Sequence, residues 1–182
     1  MPPSMTPKDF IDRFALDTIE ATRLVYEKKL FGHLMILIYS AIDAMGLLDA
    51  PPEQTSANGK SFQAWVKKYL LNNPEIQFNE IDLWAARCSV LHTFTSKSDL
   101  SNAGKARQIQ YYSGPKDSPM AEAFVEAAND IDGGAHVPGH IEDTYMAFLD
   151  GLGKFAGDLV VKCSTSVEHE KRLRNVLQPF SL

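Results

Sequence analysis

Arg87 and His92 are residue types that do chemistry, set on a helix that otherwise reads as apolar. In Ile81-Asp82-Leu83-Trp84-Ala85-Ala86-Arg87-Cys88-Ser89-Val90-Leu91-His92, the positions Leu83, Ala86, Val90, Leu91 and, just beyond, Phe94 recur at helical spacing and predict one buried stripe. Arg87 falls on that stripe, four residues after Leu83 and four before Leu91. A guanidinium is almost never fully buried without a partner. Either a carboxylate from another helix pairs with it, Asp43 being the obvious one, or this face looks into a cleft that binds an anion. Spacing alone does not choose, because five helical positions turn two side chains roughly 140° apart. The long arginine stem can swing round, and a histidine one turn from the helix end can turn towards the same cleft. In the purely structural alternative Arg87 and Asp43 form an ion pair, and His92 is a partly buried helix-end histidine whose cation the helix dipole favours.

The stretch Arg-Cys-Ser-Val-Leu-His at 87–92, late in a helical chain, resembles the Arg-x4–6-His motif of the HEPN superfamily. The preceding Ile81-Asp82-Leu83-Trp84-Ala85-Ala86 and the apolar Ile42-Asp43-Ala44 look like members of that group without an assigned role. As architecture the resemblance covers residues 10–178, and the motif is its diagnostic part. It implies an all-α bundle, usually dimeric, in which two motif helices meet near the dimer axis to form one cleft. It also implies a metal-independent endoribonuclease, in a toxin or defence setting. Arg87 would hold the scissile phosphate and stabilise its transition-state charge. His92 would act as general base or acid on the ribose 2′-OH or the leaving oxygen. Asp43 would orient or balance Arg87. The chain departs from the pattern at Cys88, where active members often carry Asn, Asp or His. A second implication is therefore a non-catalytic HEPN-like homodimer that binds a nucleotide or a protein partner.

No metal or cofactor is called for. His136-x3-His140 has the spacing of a helical zinc pair, but Val137-Pro138-Gly139 breaks a helix there. Glu142 and Asp143 are further ligands by proximity only, and the expectation is a solvated loop. His33 is expected in the core or at an interface. His169, with Glu170, Lys171, Arg172 and Arg174, reads as a charged outer face. Lys105 and Arg107 could supply positive charge beside the motif helix. Gly151, Gly153 and Gly157 are expected to let a helix pack closely. Cys88 and Cys163 are expected as reduced, buried thiols.

The elements that must position these residues follow from periodicity and punctuation. Thr6-Pro7-Lys8-Asp9 predicts a helix start, with Thr6 as N-cap and Pro7 in the first turn, running to about Lys29. Leu30 to Leu48 is apolar almost all round. Asp43 and the lack of flanking topology signals make it a central bundle helix, not a membrane span. Residues 49–60, with Pro51-Pro52 and Asn58-Gly59, predict a loop. Ser61 is expected to cap a helix from Phe62 to Leu71, and Asn79 with Asp82 to open the motif helix, which fades near Thr95. Arg107 to Tyr112 alternates like a short strand. Phe124 to Ala127 is ambiguous between helix and strand. Ile141 to Cys163 is a long amphipathic helix, and Thr165 with Glu168 is a capping box opening a last helix.

The sum is an all-α, HEPN-like helical bundle with a small irregular or β insert at about 96–138, in a single domain over 1–182. The 182 residues can bury a real core, and 45% hydrophobic residues is globular composition. A net charge of −5 excludes a protein that coats nucleic acid electrostatically but leaves room for RNA or a nucleotide in a locally basic cleft. An all-round apolar helix needs more partners than one small bundle supplies, so a homodimer is expected. The opening residues show no basic segment followed by an apolar run, which predicts a cytoplasmic protein.

Overall fold

Thr6 caps the first helix as its sequence requires: its hydroxyl accepts from the Asp9 backbone N–H, and the Asp9 carboxylate accepts in return from the Thr6 N–H at 2.8 Å. The computed structural model describes residues 5–93 and 98–177, and of residues 92 and 93 the backbone alone. In chain order the elements are α1 (Pro7–Glu27), α2 (Phe31–Asp49), α3 (Gly59–Trp65) continued by a π-helical turn (Val66–Leu70), α4 (Glu80–Thr93), α5 (Asp99–Asn102), β1 (Gln108–Tyr112), α6 (Pro119–Asp130), a 3-10 turn (Ile131–Gly133), β2 (His136–His140), α7 (Ile141–Thr165) and α8 (Val167–Val176). The chain is mostly helical, with one small sheet. Contacts divide it into two units, residues 1–65 with 149–182, and residues 66–148.

In the first unit α2 packs against α1, α3 and α8. Leu34, Met35, Ile38, Tyr39, Ile42 and Met45 are buried, because the segment is apolar on nearly every side. Its approach to α3 is so close that a Cβ on Gly46 would lie 2.7 Å from the Ser61 carbonyl oxygen. Tyr39 meets Phe62, and Trp65 meets the edge of Phe155. The C-terminal end of α2 is held by cations. Lys162 bonds Asp49, and Arg172 donates to the carbonyls of Leu47, Ala50, Pro51, Pro52 and Gln54. Among the described residues α2 is the one helix long and apolar enough to cross a membrane, and half of that stretch is buried.

Several local expectations shift by a residue or a face. Asn58, not Ser61, caps α3, its Oδ1 accepting from the N–H groups of Lys60 and Ser61. Ser166, not Thr165, caps α8, its hydroxyl accepting from the His169 N–H. His33 is exposed in the first turn of α2, so it is no part of the core. Gly153 and Gly157 face open space and serve no close helix packing. Cys163 is buried, which pushes its thiol pKa up, while Cys88 is half-buried.

The second unit is built on a β1–α6–β2 crossover whose two strands are parallel, Gln108 opposite His136 and Tyr112 opposite His140. The segment ambiguous at Phe124–Ala127 is helix, inside α6. Residues 136–140 are strand, not the expected loop. Pro138 is tolerated because a two-stranded sheet has only edges. Gly139 is required, since a Cβ there would lie 2.6 Å from Ile109 Cγ2. Asp82 joins α4 to the start of β1. Its carboxylate accepts from the Asn79 N–H at 3.0 Å and from Arg107 N, Nε and Nη2 at 2.7, 3.1 and 2.7 Å.

Candidate functional site

Arg87 stands on α4 one face away from where periodicity put it. The buried positions are Asp82, Leu83, Ala85, Ala86 and Ser89, whereas Arg87, Val90 and Leu91 are half-buried. Asp82 takes an inner position because Arg107 neutralises it, and Ser89 because its hydroxyl returns to the Ala85 carbonyl at 3.0 Å. The stripe is thereby rotated, and Arg87 flanks it. Its guanidinium carbon lies 5.0 Å from the centroid of the half-buried Trp84 ring, a cation–π contact one helical turn back. The backbone of His92 continues α4, while its side chain and residue Phe94 lie outside the described residues. Asp43 is half-buried on α2 in the first unit, and Arg87 belongs to the second.

Arg107 is no loose cation for a ligand. It is paired to a carboxylate only 2% exposed and also donates to the Gln77 carbonyl. The open groove of 370 Å³ beside it, lined by Asn79, Ser101, Lys105 and Gly134 among others, therefore keeps Lys105 and the opposing Asp132 as its other charges.

A second cluster lies at the carboxyl ends of β1 and β2, where parallel strands characteristically leave a crevice for ligands. The His140 side chain is 10% exposed, against the tilted ring of Tyr112 at 5.0 Å. Its Nε2 lies 2.9 Å from the Gly114 carbonyl oxygen, which can only accept, so Nε2 carries the proton. The ring also lies between two carboxylates, Nδ1 at 3.0 Å from Asp143 Oδ2 and Nε2 at 3.0 Å from Glu142 Oε2. Glu142 accepts from the Gly114 N–H through Oε1, and its buried Oε2 faces the His140 ring. Lys116, on the loop after β1, bridges Glu75 at 2.5 Å and Asp143 at 2.9 Å.

The charges account for the titration of this cluster. Burial works to raise the Asp143 pKa, yet the Lys116 hydrogen bond and the His140 ring hold it below the usual carboxylate value. Lys116 is held above the ordinary lysine value by its bonds to Asp143 and Glu75. Burial raises Tyr112. The space enclosed by Tyr112, Lys116, Gly139, His140 and Asp143 is 40 Å³, room for a water-sized group and not for a base or a phosphate.

His136 and His140 are not the solvated loop pair of the sequence reading. Both are largely buried, and four residues along a strand separates them by about 13 Å. His136 Nδ1 meets Gln110 Nε2 at 2.8 Å instead. Among the described residues no group of three histidine, cysteine or acidic side chains is arranged to hold a metal. Tyr112 and Lys116 were not singled out by sequence. The signal that would have found them is a strand at 107–112, a helix-capable stretch and a second apolar run before Ile141, the pattern of a parallel crossover. Comparison of the chain with protein-family models, with curated proteins and with solved structures gives no match.

Proposed function

We propose that the chain is a HEPN-like helical protein that cleaves RNA without a metal through Arg87 and His92 of α4. The observation that carries this reading is the Arg87 guanidinium, half-buried and layered on Trp84, on the same helix as His92. A guanidinium steadied by an aromatic face loses little entropy when its planar fork binds phosphate. His92 takes the proton from the ribose 2′-OH as that oxygen attacks phosphorus. The P–O5′ bond breaks, and the leaving oxygen receives a proton, giving a 2′,3′-cyclic phosphate and a 5′-hydroxyl. Arg87 stabilises the charge that builds on the phosphoryl oxygens. The protein acts as a cytoplasmic homodimer off the membrane, in a toxin or defence setting.

Cys88 favours a second reading. Half-buried beside Arg87, it brings only a weak donor to a position where a polar side chain would help bind phosphate. On that reading the homodimer binds a nucleotide or a protein partner and does not cut.

The test is cleavage of end-labelled RNA in EDTA, with all-deoxy and 2′-O-methyl strands as controls and sedimentation at micromolar concentration for the dimer. Arg87→Ala and His92→Ala should each lower cleavage at least about 100-fold. On this reading Arg87→Ala stays folded, as circular dichroism would show, while cleavage is lost. Cleavage that persists in both variants, or needs a divalent ion, refutes the enzymatic reading. Nucleotide binding lost in Arg87→Ala, without cleavage in the parent, supports the second.

A further inference from the structure

Inside the first unit, α1 and α2 leave an open groove of 490 Å³ between them. Phe10, Phe14 and Ala21 of α1 face Leu37, Ala41 and Ala44 of α2 across it, and Val176 and Leu177 at the end of α8 line it too. Of the 21 residues of α1, Ile11 and Thr22 are the buried ones, so the half-buried Phe10 and Phe14 keep apolar surface open to water. The polar groups of the α1 wall are answered within the wall. Arg13 Nε lies 3.6 Å from Asp17 Oδ2, and the Thr22 hydroxyl donates to the Thr18 carbonyl at 2.7 Å. A cover for this groove is therefore apolar and uncharged.

The chain itself supplies such a segment. Residues 178–182 read Gln-Pro-Phe-Ser-Leu, carry no charged side chain and follow directly on Leu177. We propose that residues 178–182 of the same chain lie along this groove as an extended strap, with Phe180 and Leu182 against α1 and α2. The starting point agrees. The Arg174 guanidinium carbon lies 5.4 Å from the Phe10 ring centroid and Nη1 donates to the Met5 carbonyl at 3.3 Å, which puts the end of α8 at the Phe10 end of α1. Length agrees too: Phe10 to Ala21 is about 17 Å of helix, and five extended residues span about 17 Å. Pro179 cannot continue α8, and the residue before a proline favours extended backbone. In an extended run Phe180 and Leu182, two positions apart, face one side, and Ser181 between them faces the other.

The experiment is nuclear magnetic resonance of the full chain with labelled methyl groups. The Phe180 ring protons should show nuclear Overhauser contacts to the methyl groups of Leu37, Ala41 and Ala44. Replacing both Phe180 and Leu182 by serine should shift those three methyl resonances and increase binding of an apolar fluorescent dye, because the groove is then uncovered. Ala44→Lys puts a charge on the groove and leaves the segment intact, so it should abolish the Phe180 contacts. Ala21→Lys, at an exposed position on the opposite wall, repeats this should the first variant fail to fold. A mixture of differently labelled chains separates contacts within a chain from contacts between chains. The proposal is overturned if Phe180 of the parent shows no contact to these methyl groups, or if the contacts persist in a folded lysine variant. Contacts found only between chains also overturn it, since the groove would then seat a second copy.

Discussion

Replacing Asp82 by alanine should be among the most damaging single changes in the second unit. Its carboxylate is 2% exposed and receives two N–H groups of the Arg107 guanidinium, the Arg107 backbone N–H and the Asn79 backbone N–H. Truncation removes the charge and leaves a guanidinium whose remaining described bond is to the Gln77 carbonyl. Breaking a buried pair costs roughly 3–5 kcal/mol. Arg107 is 38% exposed, so water can partly resolvate it, and the low end near 3 kcal/mol applies. For a chain of this size ~3 kcal/mol reads as a fall of roughly 6–12 °C in melting temperature. Asp82→Asn should lose about half as much, because one amide oxygen still accepts at the helix start while the paired charge is gone. Arg107→Met combined with Asp82→Ala should be less damaging than the two single losses added together, because no charge is then stranded. Thermal melts followed by circular dichroism measure all four proteins. Strict additivity, or a loss below about 1 kcal/mol for Asp82→Ala, would refute the view that this pair fastens α4 to β1.

Gly46→Ala should destabilise by ~1–3 kcal/mol in chemical denaturation, since its new methyl group meets the Ser61 backbone and not a movable side chain. Gly153→Ala, into open space on α7, should instead stabilise by about 0.5–1 kcal/mol, and a loss there would show that the face is covered. His169 is held below its ordinary pKa near 6.5, first by burial and then by the charges of Lys162 and Arg172. Its contribution to stability is therefore complete above about pH 6.5 and is lost as pH falls through the folded value, because the unfolded chain binds the proton first. Melts between pH 7.5 and 5 should show this slope in the parent, and His169→Gln should flatten it; an unchanged slope in the variant would assign the effect to another group.

What the sequence determined alone is what neighbouring residues decide among themselves. Thr6, Pro7 and Asp9 start α1 because the capping box closes within one turn. Phe31–Asp49 is a buried helix because no side of it is polar enough to face water throughout. Asn79 with Asp82 opens α4, and Arg107 to Tyr112 alternates as a strand for the same local reason. That Arg87 and His92 share a helix is legible too. Which face of α4 turns inward was decided by tertiary structure. Asp82 is apolar in effect only once Arg107, twenty-five residues away, has neutralised it, so a hydrophobicity count puts the stripe in the wrong place. Pro138-Gly139 reads locally as a turn, and it becomes strand because Ile109 and Tyr111 need the missing Cβ. That pairing makes the His140 crevice, whose charged groups come from the Glu75 segment, the loop after β1, β2 and α7. Charge neutralisation and backbone approach between distant segments have no local signature, and these two effects built the site that periodicity could not show.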